Sequence, residues 1–476
     1  MTEGPRLGTK VRALRRREGL TQKALAGRLD ISPSYLNLIE HNHRPLTAPL
    51  LIKLAQLFHL DIGAFSADDD GRLVDSLLEV FGDPLFDDPD FTNKDLRDLA
   101  ATHPGIARSI VTLYGAWVDD RGGKAAVTDE GDAGTDAAPA RRLPFEETSD
   151  FIQDRMNYFE DLEIAAEGLW SRARLDHSDL FGRLVDFLET RHGITVEVRP
   201  VGSMKTAVRR FEPRRSRLLL SRLLPPRSMN FQVAHQIGLL EHGAVLDRLT
   251  ADPVLTHPGS RSLARVALAN YFAAAVIMPY EEFLTVAQRT RYDVELLGHH
   301  FRTSFEQVCH RLTTLRRPGN EGLPFHLVRV DIAGNISKHF SATGIKFPRF
   351  GAGCPQWNVY RAFQHPDRIR VQDSQMPDGS RFFCVARTIR RGHGGYKATH
   401  TVHAIGLGVA WDHAQELVYA DGIDLKSDAQ SVPIGVTCRM CPREACDQRA
   451  FPRTGAALDV NPNVRGVSPY VHITGS

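Results

Sequence analysis

Over residues 1–65 the apolar positions recur at helical spacing and are broken by short polar turns. The run LGTKVRALRRREGLTQKALAGRLDISPSYLNLIEHNHRPLTAPLLIKLAQLFHL predicts helices over 6–18, 21–29, 32–41 and 47–58. Thr21 stands where a side-chain oxygen caps the second helix, and Ser32 followed by Pro33 starts the third. Ile31, Leu36 and Ile39 fall on the face expected to be core. Residues 66–143 open with clustered acids (Asp68, Asp69, Asp70, then Asp87, Asp88, Asp90) and pass through a helical stretch from Asp95 to Trp117. A Gly-, Ala- and Asp-rich linker then runs from Asp119, a composition that predicts mobility. Helical spacing dominates 144–318, with strands expected at 194–199 and near 217–221. Between 324 and 430 the spacing shifts toward alternation, and HLVRVDI, RFFCVARTI and TVHAIGLGVA read as strands. A cysteine-rich tail follows. The expected fold is therefore multidomain: an all-α head (1–65), a helical connector with a flexible linker (66–143), a mainly α, α+β middle domain (144–318) and a β-rich α+β C-terminal domain (324–476).

Charge narrows the function classes. With a net charge of only +2 over 476 residues, nucleic-acid affinity has to come from a local patch. Residues 1–50 supply one, with nine Lys and Arg against four Asp and Glu. Two helices joined by a turn of a few residues form a helix-turn-helix, whose second helix fits a major groove. The alternative is a small helical bundle with a solvated basic face. This segment resembles the Xre/Cro-type DNA-binding domains, including their TQ, LA and S-x-x-Y-x4-E landmarks and a closing proline. That resemblance implies that Gln22 and Arg44 approach backbone phosphate, and that Ser32, Ser34, Tyr35 and Asn37 lie toward base edges. The N-terminus MTEGPRLGTK has no apolar signal region, and no apolar run approaches the length of a membrane span, so a cytoplasmic protein is expected, with no membrane partner.

FQVAHQIGLLEH, residues 231–242, has the outline of a helical H-E-x-x-H zinc motif without its chemistry. Gln236 replaces the general base, and Leu239 stands where the second ligand belongs. The next histidine, His242, is seven residues beyond His235, roughly 10.5 Å along a helix, too far for one ion with bonds of about 2 Å. Further on, RSLARVALANYFAAAVIMPYEEF resembles the helix that follows this motif in ImmA/IrrE-like metallopeptidases. Their acidic ligand is missing here, where Arg265, Val266, Ala267 and Leu268 precede Ala269 and Asn270. The middle domain therefore reads as a catalytically dead metallopeptidase-like fold, not an enzyme. His235 is either a satisfied, partly buried histidine or a ligand contact. The basic run 202–228 is either a phosphate-binding surface or a solvated face. Tyr271 sits at a spacing that suits core as well as a ligand contact.

The tail VTCRMCPREACDQRAFP sets Cys438, Cys441 and Cys446 in a C-x2-C-x4-C pattern. Three thiols on a short loop point to a metal centre that needs a fourth ligand. Cys354, followed by proline in GAGCPQWNVY, is the candidate. Cys384 reads as a buried small hydrophobe and Cys309 as a helix residue of another domain. Spacing alone leaves iron–sulfur and structural zinc both open.

Taken together, the helix-turn-helix, the degenerate ImmA/IrrE-like segment, FEQVCHRLTTLRRPG, GCPQWNVYRAF and CRMCPREACDQRAFP resemble one family across nearly the whole chain. It is the short-chain fatty acyl transcriptional regulators of propionate/methylcitrate and acetate/glyoxylate type. The resemblance implies a double-stranded DNA operator, a short-chain acyl-CoA as regulatory ligand, and a 4Fe-4S cluster on Cys354, Cys438, Cys441 and Cys446. Lys205, Arg209 and Arg210 are expected to face the ligand's phosphates, with His235 and Tyr271 near its cavity. A homodimer or higher homo-oligomer is expected, with helices in 73–117 or 147–175 as its contact. Three rival readings remain: an active zinc peptidase that cleaves a partner repressor, a regulator with redox-only or zinc input, and a repressor without a small ligand.

Overall fold

The computed structural model describes residues 11, 12, 15, 20–40, 44, 46–47, 50, 53–54, 57, 67–81, 86, 92–126, 143–205, 207–348, 353–392, 400–427, 430–453 and 467. Most of the expected first and fourth helices of the head lie outside these residues. The chain forms two units, Met1–Arg142 with Cys438–Ser476, and Leu143–Thr437.

In the first unit, α1 (Gln22–Leu29) and α2 (Pro33–Glu40) close over Val11, Leu25, Leu29, Leu36, Ile39 and Leu54. Ile31 packs at the edge of this core, half-buried. Thr21 caps α1, its hydroxyl accepting the Ala24 N–H at 3.2 Å. Ser32 does the same for α2 through the Tyr35 N–H at 3.1 Å. Asp30, in the left-handed region at φ 60°, makes the turn between them. A separate small core of Leu77, Ala100 and Ala107 joins α3 (Ala67–Val80), α4 (Asn93–Thr102) and α5 (Pro104–Ala126). The stretch Asp95–Trp117 is thus two helices, divided where Pro104 takes the first position of α5. Helix α5 also runs past Asp119 to Ala126, so the segment expected to be a linker begins as helix. Alanine in this segment favours helix, which composition alone did not weigh against its glycines.

The second unit begins with α6 (Pro144–Asp154), α7 (Glu160–Arg172) and α8 (Leu180–His192). A three-stranded sheet of order β1-β3-β2 follows: β1 (Thr195–Arg199) is parallel to β3 (Arg217–Ser221), and β2 (Arg209–Glu212) is antiparallel to it, with α9 (Val201–Met204) between β1 and β2. Then come α10 (Pro226–Glu241), α11 (Gly243–Thr250), α12 (Pro258–Ile277), α13 (Tyr280–Arg289), α14 (Val294–His300) and α15 (Phe305–Leu312). The remainder is a six-stranded sheet, order β5-β4-β8-β7-β6-β9. Its strands are β4 (Phe325–Asp331), β5 (Ile336–Ser341), β6 (Arg370–Gln375), β7 (Arg381–Arg391), β8 (Thr401–Ala410) and β9 (Val432–Pro433), with α16 (Asn358–Arg361) packed on one face.

Alternation along β4 explains how the two halves of this unit join. Phe325 and Leu327 face the helices, in one core with Leu312, Leu315, Val385 and Ile405. Val328 and Val330 face the other way, toward Trp357, Val359 and Ile434. The composition change at 318–324 is real in sequence, yet one hydrophobic core runs across it. Among the described residues no single helix is long and apolar enough to cross a membrane.

Candidate functional site

The head carries its candidate contacts on the N-terminal half of α2. Ser32, Ser34 and Asn37 are exposed, Arg44 is exposed beyond the helix, and Tyr35 leans half-buried on the core. Gln22 is fixed from two sides, its amide donating to Asn37 Oδ1 at 3.1 Å and to Glu40 Oε2 at 2.9 Å. The anchor of this arrangement is Glu40, only 1% exposed, which also accepts from Arg15 Nε at 2.6 Å and NH2 at 3.0 Å. Burial opposes its ionisation, but the bonds from Arg15 and Gln22 prevail and hold its carboxyl below the ordinary range. Arg15 was not singled out from sequence, and Glu40 was read only as the closing acid of the S-x-x-Y-x4-E landmark, without a role.

On α10, His235 is 3% exposed. Arg209, reaching across from β2, donates a guanidinium N–H to its Nδ1. The Val266 backbone lies beside the ring and works in the opposite sense, favouring protonation. Burial first, and the Arg209 charge second, push the imidazole down to about 3, so it is neutral at pH 7. The lone pair that a metal would need is already used. Phe272 of α12 closes the same face: a Cβ on Gly238 would come within 2.7 Å of its ring. Glu241 is paired with Arg172 at 2.8 Å and His192 at 3.2 Å, and the His242 ring lies against Phe272. This is a filled helix face.

The basic residues expected to act together are separated. Arg209 turns inward, while Arg210, the next residue on the strand, is exposed and belongs to the opposite face. Lys205 is exposed at φ 52° after α9. Tyr271 is buried in a structural network: its hydroxyl donates to Glu163 Oε1 at 2.6 Å and accepts the Phe159 N–H at 3.4 Å. Arg311, with no exposed surface, grips the same Glu163 at 2.5 and 2.9 Å and bonds the Met278 carbonyl at 2.9 Å. Burial and the Glu163 charge raise the Tyr271 phenol well above its ordinary value.

The cysteine segment 438–451 wraps one side chain. Arg449, 6% exposed, donates to the carbonyls of Cys438 at 2.7 Å, Cys441 at 2.9 Å, Arg443 at 2.5 Å and Phe451 at 3.3 Å. Cys441 is buried, Cys438 and Cys446 are half-buried, and the Ala450 N–H points at Cys438 Sγ at 3.5 Å. Cys354 is buried in the other unit. Among the described residues no three His, Cys, Asp or Glu side chains gather as a metal site. Cys309 is fully buried on α15, as expected for a helix residue, and Cys384 is buried on β7.

Comparison with known proteins supplies the identity that this geometry frames. Residues 11–65 match a helix-turn-helix family, 189–313 an IrrE N-terminal-like domain, and 314–470 the family described as short-chain fatty acyl coenzyme A regulator, C-terminal. The HTH-type transcriptional regulator RamB of Mycobacterium tuberculosis is 41% identical over 98% of both chains. The chain belongs to this family of transcriptional regulators. The HTH-type transcriptional regulator PrpR of the same organism is 40% identical over 97% of this chain and 95% of its own. The propionyl-CoA carboxylase regulator of Cereibacter sphaeroides is 40% identical over 97% and 98%. A solved Mycobacterium tuberculosis transcriptional regulator superposes with a TM-score of 0.67 at 41% identity, covering 70% of this regulator and all of that chain. The regulator is accordingly a DNA-binding protein, and its family is one of regulators, not peptidases. The family limits also place a boundary at 313/314, beside the composition change at 318–324.

Proposed function

We propose that this regulator controls genes of propionate or acetate use by binding a double-stranded operator through α2 and responding to a short-chain acyl-CoA held by residues 143–437. The observation that carries this reading is the Arg209–His235 contact. A helix with a peptidase outline has the Nδ1 acceptor of its one remaining candidate ligand paired with an arginine, which suits a fold that binds and does not cut. Arg209 also supports an anionic ligand. No carboxylate lies within ion-pair distance of it among the described residues, and burial alone lowers its pKa. A phosphate group of coenzyme A is a fitting counter-charge, with the exposed Arg210 and Lys205 contributing longer-range attraction. Tyr271 is left out of the ligand site because Glu163 and Phe159 use its hydroxyl.

As cofactor the reading includes a 4Fe-4S cluster on the cysteine segment, with Cys438, Cys441 and Cys446 as ligands and zinc the alternative. What supports it is the donor chemistry of three thiols on a segment whose backbone is tied to Arg449; the cluster supplies a redox-sensitive centre when bound. Operator half-sites lie about 34–36 Å apart, which calls for a homodimer or higher oligomer. Ile106 and Leu113, two turns apart on α5 and 54% and 71% exposed, support a contact in 73–117. The site of action is cytoplasmic, where both DNA and acyl-CoA occur.

The test is operator binding by fluorescence anisotropy of full-length protein, with acetyl-CoA, propionyl-CoA or free CoA added. A change in operator affinity of fivefold or more with an acyl-CoA, the low end of about 5–150-fold for allosteric coupling, is expected. An affinity indifferent to every CoA species would overturn the sensor reading.

A further inference from the structure

The three-stranded sheet is more basic than the helix-turn-helix. Residues 195–228 hold nine Lys and Arg, eight of them Arg, against two Glu, whereas residues 1–50 hold nine against four. Because the whole chain nets only +2, this is a local concentration of charge that the rest of the molecule balances.

Register decides which of these residues share a side. Val196, Phe211, Leu218 and Leu220 turn to the helices and pack with their core. Their neighbours along each strand point the other way. Glu197 and Arg199 of β1, Arg217 of β3, and Arg210 and Glu212 of β2 therefore lie on the outer face. The turn from β2 to β3, Pro213–Arg215 followed by Ser216 at φ 47°, presents Arg214 and Arg215 at one end of that face, both exposed. Arg222, also exposed, follows β3 at the other end, its N–H donating to the Arg199 carbonyl at 2.9 Å.

The two acids compensate only part of this charge. Glu197 pairs with Arg199 at 2.5 Å and Arg217 at 3.1 Å, while Glu212 pairs with Arg217 at 3.1 Å and reaches Arg215 at 3.9 Å. Among the described residues no carboxylate comes within ion-pair distance of Arg210, Arg214 or Arg222. The cations are spread along strands and over a turn instead of converging on one point, which suits an extended polyanion. Arginine predominates, and its planar fork matches phosphate oxygens two at a time.

We propose that this outer face is a second DNA contact, binding the phosphate backbone of the duplex away from the bases that α2 reads. Such a contact fixes position and adds affinity without carrying sequence information. It does not depend on the acyl-CoA reading, in which Arg214, Arg215 and Arg222 have no part.

Fluorescence anisotropy of full-length protein on a random-sequence duplex several helical turns long tests it. Each phosphate contact contributes about 0.9 to the slope of log affinity against log salt, read between about 50 and 200 mM. Arg214→Ala/Arg215→Ala/Arg222→Ala should make that slope shallower by about 2–3. The control Arg289→Ala/Arg368→Ala/Arg370→Ala removes the same charge from exposed positions elsewhere and should keep the wild-type slope. If the first triple variant fails to fold, Arg214→Ala alone carries the test, with a change of about 0.9. An unchanged slope in a folded variant overturns the proposal, and so does an equal fall in the control, which would report net charge alone. An unchanged slope joined to weaker propionyl-CoA binding overturns it in favour of a ligand surface.

Discussion

At α10 the sequence keeps the outline of a zinc motif without its chemistry, at the cysteine segment it points to a metal centre, and at each the structure supplies an arginine turned inward. The two arginines act on different atoms. Arg209 donates to a ring nitrogen of His235 and so removes the one ligand that the degenerate motif still had. Arg449 donates to four backbone carbonyls of the cysteine segment, those of Cys438, Cys441, Arg443 and Phe451. The difference separates a helix face whose candidate ligand atom is occupied from a cysteine segment whose backbone is held in shape. Occupation of a ligand atom argues against metal, whereas occupation of the scaffold behind ligand atoms does not.

A third arginine calibrates the pair, because it has a counter-charge. Arg311→Met should cost about 3–5 kcal/mol in urea unfolding, since Glu163 is left charged and buried. Arg449→Met comes next. Four carbonyls lose a charged donor, and a loss of about 2–4 kcal/mol is expected, read as faster protease cleavage within 438–451 while the Leu143–Thr437 unit melts unchanged. A smaller and more local effect belongs to the head, where Asn37→Ala should weaken operator binding by about 1–3 kcal/mol with little change in melting temperature.

The smallest effect is expected at Arg209. The folded His235 titrates near 3 and an unfolded one near 6.5. Above about pH 6.5 both states are neutral and the fold has its full stability. As pH falls from there toward 3, only the unfolded chain takes up the proton, so stability declines by at most about 1.4 kcal/mol per pH unit. Arg209→Ala removes the lesser of the two causes and leaves burial, so the His235 resonance followed by NMR should titrate closer to 6.5 but still below it. No rise after the substitution would mean that the contact exerts no electrostatic influence.

Much of the head was legible because local rules act there alone. Thr21, Ser32 and Pro33 mark helix starts by hydrogen bonding and by ring geometry, and both caps form. The strands 194–199 and 217–221 and the three long strands after 324 were equally plain, since alternation is a local signal. What sequence reading missed depends on partners distant along the chain. Tyr271 was weighed as a ligand contact because nothing near it announces Glu163, over a hundred residues earlier. Arg209 and Arg210 were grouped because they are adjacent, although a strand sends neighbours to opposite faces. The alternating glycines of AIGLGVA were available as a signal of close approach within a strand, and a Cβ on Gly408 would sit 2.5 Å from His326 Nε2. The linker expected from Asp119 lies mostly outside the described residues, and α5 continues into its first residues, to Ala126.

The central proposal, a metal at the cysteine segment and none at α10, is tested most directly by metal and sulfide analysis of full-length protein purified without oxygen. The account predicts about four iron and four sulfide per chain, lost in Cys438→Ser, and no zinc in either protein. Zinc retained in Cys438→Ser and lost in His235→Ala would contradict it.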